Sequence, residues 1–453
     1  MDFPPSAADC ISPLDNRYWD PVIAKYLSER TFLKLKLDVE VALVRALHAR
    51  GLCPAKAVEE VAAAAKQVTW EEVMAEEERV FHDIQAMVNR LAAKVSDETR
   101  PFIHRFATSY DIIDSANALR YREAGVELVY QRLFILIHTV LDLAEREAAT
   151  PQIGRTHGQH AVPITFGFAM AGYASRLSQC ALNIFEDAPR LRGKFSGAVG
   201  AYNAASKLVD DPEAFEREVL ALLCLKPAEI STQIAPPEPL TRLISGIVEA
   251  CGVMANLADD MRHLHRSEIG EVSEAFKKDQ VGSSAKPHKR NPNSFENVKS
   301  LWLVVKERHG TVLSNMVSEH QRDLTNSASA RFLPEIFAIA AIMAKRLDKA
   351  MSTLVVHRDA MARNLDASWS VIAAESLYTS LAAKGHPQAH EKARQLANKA
   401  RETGRPLVSI IPEDEEVMKY LGDAAISQLA PSTGIAERKA RAVVAAVRDR
   451  YVW

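Results

Sequence analysis

The segment "VGSSAKPHKRNPNSFEN", residues 281–297, sets two adjacent serines beside four lysine, arginine and histidine side chains and two prolines. Three readings are open for it: a solvated basic turn or localisation signal, a phosphate cradle, or a reactive loop. Gly-Ser-Ser before the basic run, and Asn-Pro ahead of a long helical pattern, favour chemistry. Main-chain N–H groups in such a turn can hold an anion, and a helix N-terminus adds partial positive charge. In that setting Ser283 could lose its proton and act as a base, while Lys289 and Asn291 hold a carboxylate.

A second group lies in "GRTHGQHAVPITFG", residues 154–167. His157 and His160 stand three apart, but no H-E-x-x-H and no carboxylate within a turn accompany them, so no metal is expected. Two histidines with Arg155 and Thr156 between Gly154 and Pro163 favour a site, and histidine can give a proton to a leaving group near neutral pH. In "FHDIQ", His82 precedes Asp83, a pairing that either orients an imidazole or caps a helix. "IHRFATSYD" offers His104, Thr108 and Ser109 as donors to a carboxylate, although Thr-Ser before Asp also reads as a helix N-cap. "HQRDLTNSASAR" sets Arg322, Ser327 and Arg331 at spacings that share one helical face and suit a phosphate, the alternative being an exposed face. Arg17 and Tyr18 in "ISPLDNRYW" are a donor pair that is uninformative alone.

The elements that must position these groups are helical. Proline-free intervals between Pro101 and Pro151, Pro239 and Pro287, Pro292 and Pro334, and Pro334 and Pro387 are rich in helix formers. "DSANALRYREAGVELVYQRLFILIHTVLDLAERE" repeats apolar residues at three- and four-residue steps, and ~35 residues of helix would run ~50 Å. Period-two alternation is nearly absent. An all-α fold is therefore predicted, with a central bundle of long helices (112–356) between helical domains at 1–111 and 357–453. The segments at 80–84, 101–111, 151–163, 281–297 and 320–331 read as loops that carry the unusual residues.

Composition narrows the function classes. The 453 residues carry 56 Lys plus Arg against 58 Asp plus Glu, a net charge of −2, which argues against a nucleic-acid partner. Any anionic ligand must be met by a local cluster of cations. Five scattered cysteines without a C-x-x-C pair fit a reducing compartment. "MDFPPSAADC" lacks the pattern of a secretory signal. The most apolar run, "FAIAAIMA", stops at Lys345, short of the roughly 18 residues of a membrane span. A cytoplasmic protein without a membrane partner is expected.

Together these segments resemble the adenylosuccinate lyase family of the fumarase/aspartase superfamily, over nearly the whole chain. "GSSAKPHKRNP" is similar to the superfamily loop G-S-S-x-M-P-x-K-x-N-P, "GRTHGQHAVP" to the general-acid segment, and "QRDLTNSASAR" to the nucleotide-phosphate segment. "SPLDNRY", His-Asp at 82–83 and "STQI" at 231–234 make the resemblance specific.

The resemblance implies β-elimination of fumarate from adenylosuccinate, giving AMP, and from SAICAR, giving AICAR. It implies Ser283 as the base, His157 as the acid toward the departing nitrogen, and His82 and Asp83 contacting substrate and supporting that acid. Thr108, Ser109, Lys289 and Asn291 would stabilise the aci-carboxylate, with His104 and Thr156 lining the site. Arg17, Tyr18, Arg322, Ser327 and Arg331 would hold the phosphate and ribose, and Gln233 the succinyl and base portions. It further implies no cofactor, and a homotetramer with active sites shared between subunits.

Three positions depart from the pattern. Lys286 replaces the loop Met, Phe106 replaces a Gly, and "PPEP" at 236–239 replaces a basic stretch. Two other readings stand beside this one: a paralogue cleaving another N-substituted succinate, as argininosuccinate lyase does, or a non-catalytic protein on the same scaffold.

Overall fold

The computed structural model describes residues 10–276, 286, 289–368, 372–422, 429 and 432–451. Ser283 and most of the loop around it lie outside the described residues. The chain divides into two units, one of Met1–Phe134, Gln179–Gly252 and Leu301–Lys345, the other of Ile135–Ser178, Val253–Ser300 and Arg346–Trp453.

The fold is mostly helical. In chain order the helices are α1 (Pro21–Leu27), α2 (Glu29–Ala49), α3 (Ala55–Ala65), α4 (Trp70–Val80), α5 (Asp83–Ala92), α6 (Ser109–Glu123), α7 (Gln131–Arg146), α8 (Phe166–Asp187), α9 (Pro212–Ala221), α10 (Glu238–Leu264), α11 (Asn293–Ser314), α12 (Ser327–Ala330), α13 (Leu333–Ser352) and α14 (Arg358–Asp366). Further helices follow at Ala374–Ala383, Ala389–Thr403 and Gly434–Asp449. A π-helical stretch, Ala124–Tyr130, joins α6 to α7, so helix runs unbroken over the interval predicted from periodicity. Prolines sit in the first turn of α1 and α9, where the missing N–H costs no hydrogen bond. "PPEP" is spent the same way: α10 begins at Glu238, and the Pro237 carbonyl accepts from the Thr241 N–H at 3.0 Å.

In the first unit, α2 buries Leu33, Leu37, Glu40, Val44 and Leu47, a face at three- and four-residue steps that is apolar but for Glu40. Its core also stacks Tyr121 on Phe337, ring centroids 5.1 Å apart. In the second unit the C-terminal helices close their own core around Leu377, Leu381, Leu396, Leu407, Ile410 and Val417. Three helical runs, Ser109–Arg146, Glu238–Leu264 and Ser327–Ser352, are long and apolar enough to cross a bilayer by length and composition. More than half of each apolar window is buried inside the protein, so that apolarity serves packing.

Strands are few but not absent. β3 (Val272–Ser273) pairs with β4 (Val355–Val356), and β1 (Pro151–Thr156) pairs antiparallel with β2 (Gln159–Thr165). The second pair occupies the stretch that reads from sequence as a loop. Thr156 faces Gln159, leaving a two-residue turn in which His157 has φ 54° and Gly158 φ 74°. Two left-handed residues match the right-handed twist of the flanking strands, the geometry of a type I′ hairpin. The register shifts between Ile153 and Arg155, and a Cβ at Gly154 would meet the Val162 carbonyl oxygen at 2.7 Å. Only glycine fits that bulge.

Candidate active site

In the second unit His157 stands at the hairpin tip, exposed, in a left-handed conformation that a non-glycine residue adopts at a cost of about 1 kcal/mol. Thr156, beside it, is exposed as well. The stem below is locked by Glu271, a carboxylate with no solvent exposure. Its Oε2 accepts from Gln152 at 2.7 Å, and its Oε1 accepts from Arg155 at 2.6 Å and from Asn364 at 2.7 Å. Arg155, counted above as part of the chemistry, is thus committed to holding the hairpin. His160 bonds through Nδ1 to the Ser368 hydroxyl. Burial, with the nearby Arg155 charge, lowers its pKa against the pull of Glu271, so His160 reads as a neutral structural ring rather than the partner of His157.

Lys289 is exposed, and its N–H donates to the Lys286 carbonyl at 3.0 Å. Lys286 is exposed too, and Asn291 is half-buried just before α11. The Glu274 carboxylate accepts from the N–H groups of Ser294 and Phe295 at 2.8 and 3.0 Å. The first turn of α11, read from sequence as a source of positive potential for an anion, is therefore already capped by a side chain.

In the first unit, α6 carries the candidate carboxylate donors. Thr108 is its N-cap and Ser109 its first residue. The Thr108 N–H donates to Asp111 at 2.7 Å, and Asp111 also accepts from the N–H groups of Ser196 (3.0 Å) and Gly197 (3.2 Å). Lys194 completes the cluster, its ammonium 2.5 Å from Asp111 and 2.9 Å from the Gly197 carbonyl. Both side chains of this pair are fully buried. The pair fixes the start of α6, and hence the backbone that presents Thr108 and Ser109.

His104 is held in the same region by Glu40, which is fully buried on the apolar stripe of α2. Its ring Nδ1 lies 2.7 Å from one carboxylate oxygen, and its N–H donates to the other at 2.9 Å. Burial opposes the charged ring, but the hydrogen bond and charge of Glu40, helped by Asp111, outweigh it and raise the pKa above 6.5. Two residues on, Phe106 has φ 69°. The glycine-type backbone conformation is retained although the residue is Phe, and the ring packs edge-on against Phe215 at 6.3 Å with Arg105 5.4 Å above it.

His82 is the N-cap of α5: its Nδ1 accepts from the Gln85 N–H at 3.3 Å. Asp83 Oδ1 is 3.7 Å from His82, and Lys36 is 3.7 Å from Asp83. The capping reading of His-Asp is the one this geometry supports, since Nδ1 is already an acceptor and 3.7 Å is too long for a hydrogen bond to Asp83. Arg322 lays its guanidinium over the Tyr110 ring, 4.5 Å from the centroid, and donates to the Tyr110 hydroxyl. The Gln233 N–H donates to the Gln321 carbonyl at 3.4 Å, bringing the "STQI" and "QRDL" segments together. Ser327 opens α12 and Arg331 ends it. Arg17 is exposed and Tyr18 half-buried, just before α1.

Glu40, Tyr110, Asp111, Lys194, Glu271 and Glu274 were missed in the sequence. The available signal was a charged residue inside an apolar pattern, clearest at Glu40, between Leu37 and Val44 on the buried face of α2.

The chain is a lyase of the fumarase/aspartase class: a family model described as "Lyase" matches residues 18–306. Among solved structures, a fumarate lyase from Mesorhizobium sp. BNC1 superposes with a TM-score of 0.84 at 27% identity, over 94% of this chain and 98% of that one. A second family model, "Adenylosuccinate lyase C-terminal", matches residues 318–434. The adenylosuccinate lyase of Pyrococcus horikoshii is 37% identical over 440 residues, covering 96% of each chain. That of Methanocaldococcus jannaschii is 34% identical over 429 residues, 92% of this chain and 91% of its own. The chain belongs to the adenylosuccinate lyase family, whose members are C–N lyases.

Proposed function

We propose that this enzyme eliminates fumarate from adenylosuccinate, leaving AMP, and from SAICAR, leaving AICAR. The observation that carries the reading is His157: an exposed imidazole at the apex of a rigid hairpin, its stem clamped by a buried carboxylate. A general acid must meet the departing nitrogen at a fixed place, and a ring on a locked turn meets that need.

In this mechanism Ser283 takes the proton beside a substrate carboxylate. The electron pair left behind forms an aci-carboxylate, stabilised by the Lys289 charge, the Asn291 amide and the Thr108 and Ser109 hydroxyls at the N-terminal end of α6. The C–N bond breaks as His157 delivers a proton to nitrogen. His82 and Asp83 contact the substrate and support the acid, and His104 and Thr156 line the site. Arg322, Ser327, Arg331, Arg17 and Tyr18 take the phosphate and ribose, and Gln233 the succinyl and base portions. Cationic donors at these positions suit a substrate that carries a phosphate and two carboxylates, on a chain of net charge −2.

The reading includes the family's three-domain division near 111 and 356, a homotetramer whose sites draw on several subunits, and a cytoplasmic location. The test is turnover of adenylosuccinate beside argininosuccinate by the purified protein. Release of AMP and fumarate with no action on argininosuccinate supports it; preference for a non-nucleotide succinyl amine assigns the chain to a paralogous activity.

A further inference from the structure

Tyr110 and Asp114 lie four residues apart on α6 and so share one face of the helix. Each reaches a different candidate substrate segment. Tyr110 holds Arg322, through the hydroxyl and through the ring face. Asp114 accepts the Ala235 N–H at 2.8 Å, two residues beyond Gln233. The two segments are themselves joined by the Gln233 N–H on the Gln321 carbonyl, next to Arg322. The contacts therefore close a ring: α6, Arg322, Gln321, Gln233, Ala235, and back to α6.

The charges around Asp114 fit such a role. Burial pushes its carboxyl up to about 6, while the Ala235 N–H, Lys194 and Arg322 pull it down and Asp111 pushes it up. At neutral pH it is a carboxylate facing both a backbone donor and the field of Arg322. Among the described residues the buried Arg322 Nε–H has no hydrogen-bond partner, so the guanidinium retains donor capacity. Nothing in the assigned chemistry uses Tyr110 or Asp114.

We propose that Tyr110 and Asp114 are positioning residues that close this ring and hold Arg322, for the phosphate, and Gln233, for the succinyl-purine portion, as one unit. The inference rests on the functional reading above and deepens it. Neither side chain touches the reacting bond; each acts through the residue it holds. The consequence is a coupling. Loosening Tyr110 affects the grip on phosphate alone, whereas loosening Asp114 affects both ends of the substrate.

The test compares adenylosuccinate with succinyladenosine, which lacks the phosphate, in steady-state kinetics of the full-length enzyme. Tyr110→Phe keeps the ring and removes the hydroxyl. It is expected to raise KM for adenylosuccinate about tenfold, leaving kcat within about twofold and succinyladenosine unchanged. Asp114→Ala is expected to raise KM for both substrates, by about tenfold or more for the phosphorylated one. Asp114→Asn, which keeps an acceptor for the Ala235 N–H, should recover to within about threefold of wild type. If Asp114→Ala does not fold, Tyr110→Phe carries the comparison, since it preserves shape.

Unchanged KM in Tyr110→Phe, unchanged KM in a folded Asp114→Ala, or an equal fall in kcat on both substrates, would overturn the inference while leaving the functional reading intact. A folded wild type that turns over neither substrate would overturn the functional reading, and the inference with it.

Discussion

Replacing Lys194 by Met removes an ammonium from a pair that has no solvent contact and leaves the Asp111 carboxylate with three backbone N–H donors. Removing one partner of a buried ion pair costs about 3–5 kcal/mol, because the other charge stays desolvated. The three N–H donors, at 2.7, 3.0 and 3.2 Å, still compensate the carboxylate, which places Lys194→Met at the lower end, about 3 kcal/mol. Asp111→Asn is the harsher change: the ammonium retains only the Gly197 carbonyl at 2.9 Å and a neutral amide, and about 4–5 kcal/mol is expected. The assay is hydrogen–deuterium exchange at the Ser196 and Gly197 amides, which donate to Asp111, together with urea unfolding at fixed protein concentration. At about 1.4 kcal/mol per tenfold, Lys194→Met should cut protection there about a hundredfold. The double variant should be about 2 kcal/mol more stable than the sum of the singles, since neither charge is then stranded. A cost below about 1 kcal/mol for Lys194→Met, or strict additivity, would refute the account of how the start of α6 is held.

Three further outcomes follow from the same geometry. Glu40→Gln should lower the His104 pKa, read by NMR titration of the ring. Because the folded value is raised above 6.5, the pair's stabilisation is present in acid and is lost as pH rises through the folded value. The wild-type advantage in unfolding free energy, about 1–2 kcal/mol, should therefore be largest near pH 5 and shrink in alkali. Asp20 caps α1 and pairs with Arg132 at 2.6 Å and Lys345 at 2.9 Å. Burial would raise its carboxyl, but Lys345, Arg132 and the Val22 N–H bring it from 3.8 down to about 2. Asp20→Ala should cost about 2 kcal/mol at neutral pH, and the difference in unfolding should vanish as pH falls through about 2. His157→Gln should lower kcat by about 10²–10⁴ with KM little changed, measured by fumarate release.

Long helices were legible because proline spacing and apolar period are local: the 109–146 run, α10, α11 and α13 lie where the proline-free intervals put them. The carriers of proposed chemistry were legible because histidine, serine and arginine stand at turns between those helices. The β1–β2 hairpin was not, because its turn is His157-Gly158 and not the Asn-Gly that marks such turns, and because a bulge at Gly154 breaks the alternation. The supports were hidden for a different reason. Asp111 meets Lys194, Glu40 meets His104, and Arg155 meets Glu271 across 64 to 116 residues of sequence. No local pattern encodes such pairings; only the fold brings them together. Phe106 shows the reverse case, where sequence flagged a departure and the backbone kept the left-handed conformation regardless.

The central claim is tested most directly by incubating the purified protein with adenylosuccinate and following fumarate and AMP together. The account predicts their release in equal amounts, abolished in Ser283→Ala and reduced at least a hundredfold in His157→Gln, with both variants still folded. Undiminished turnover in Ser283→Ala, or none by folded wild type, would contradict it.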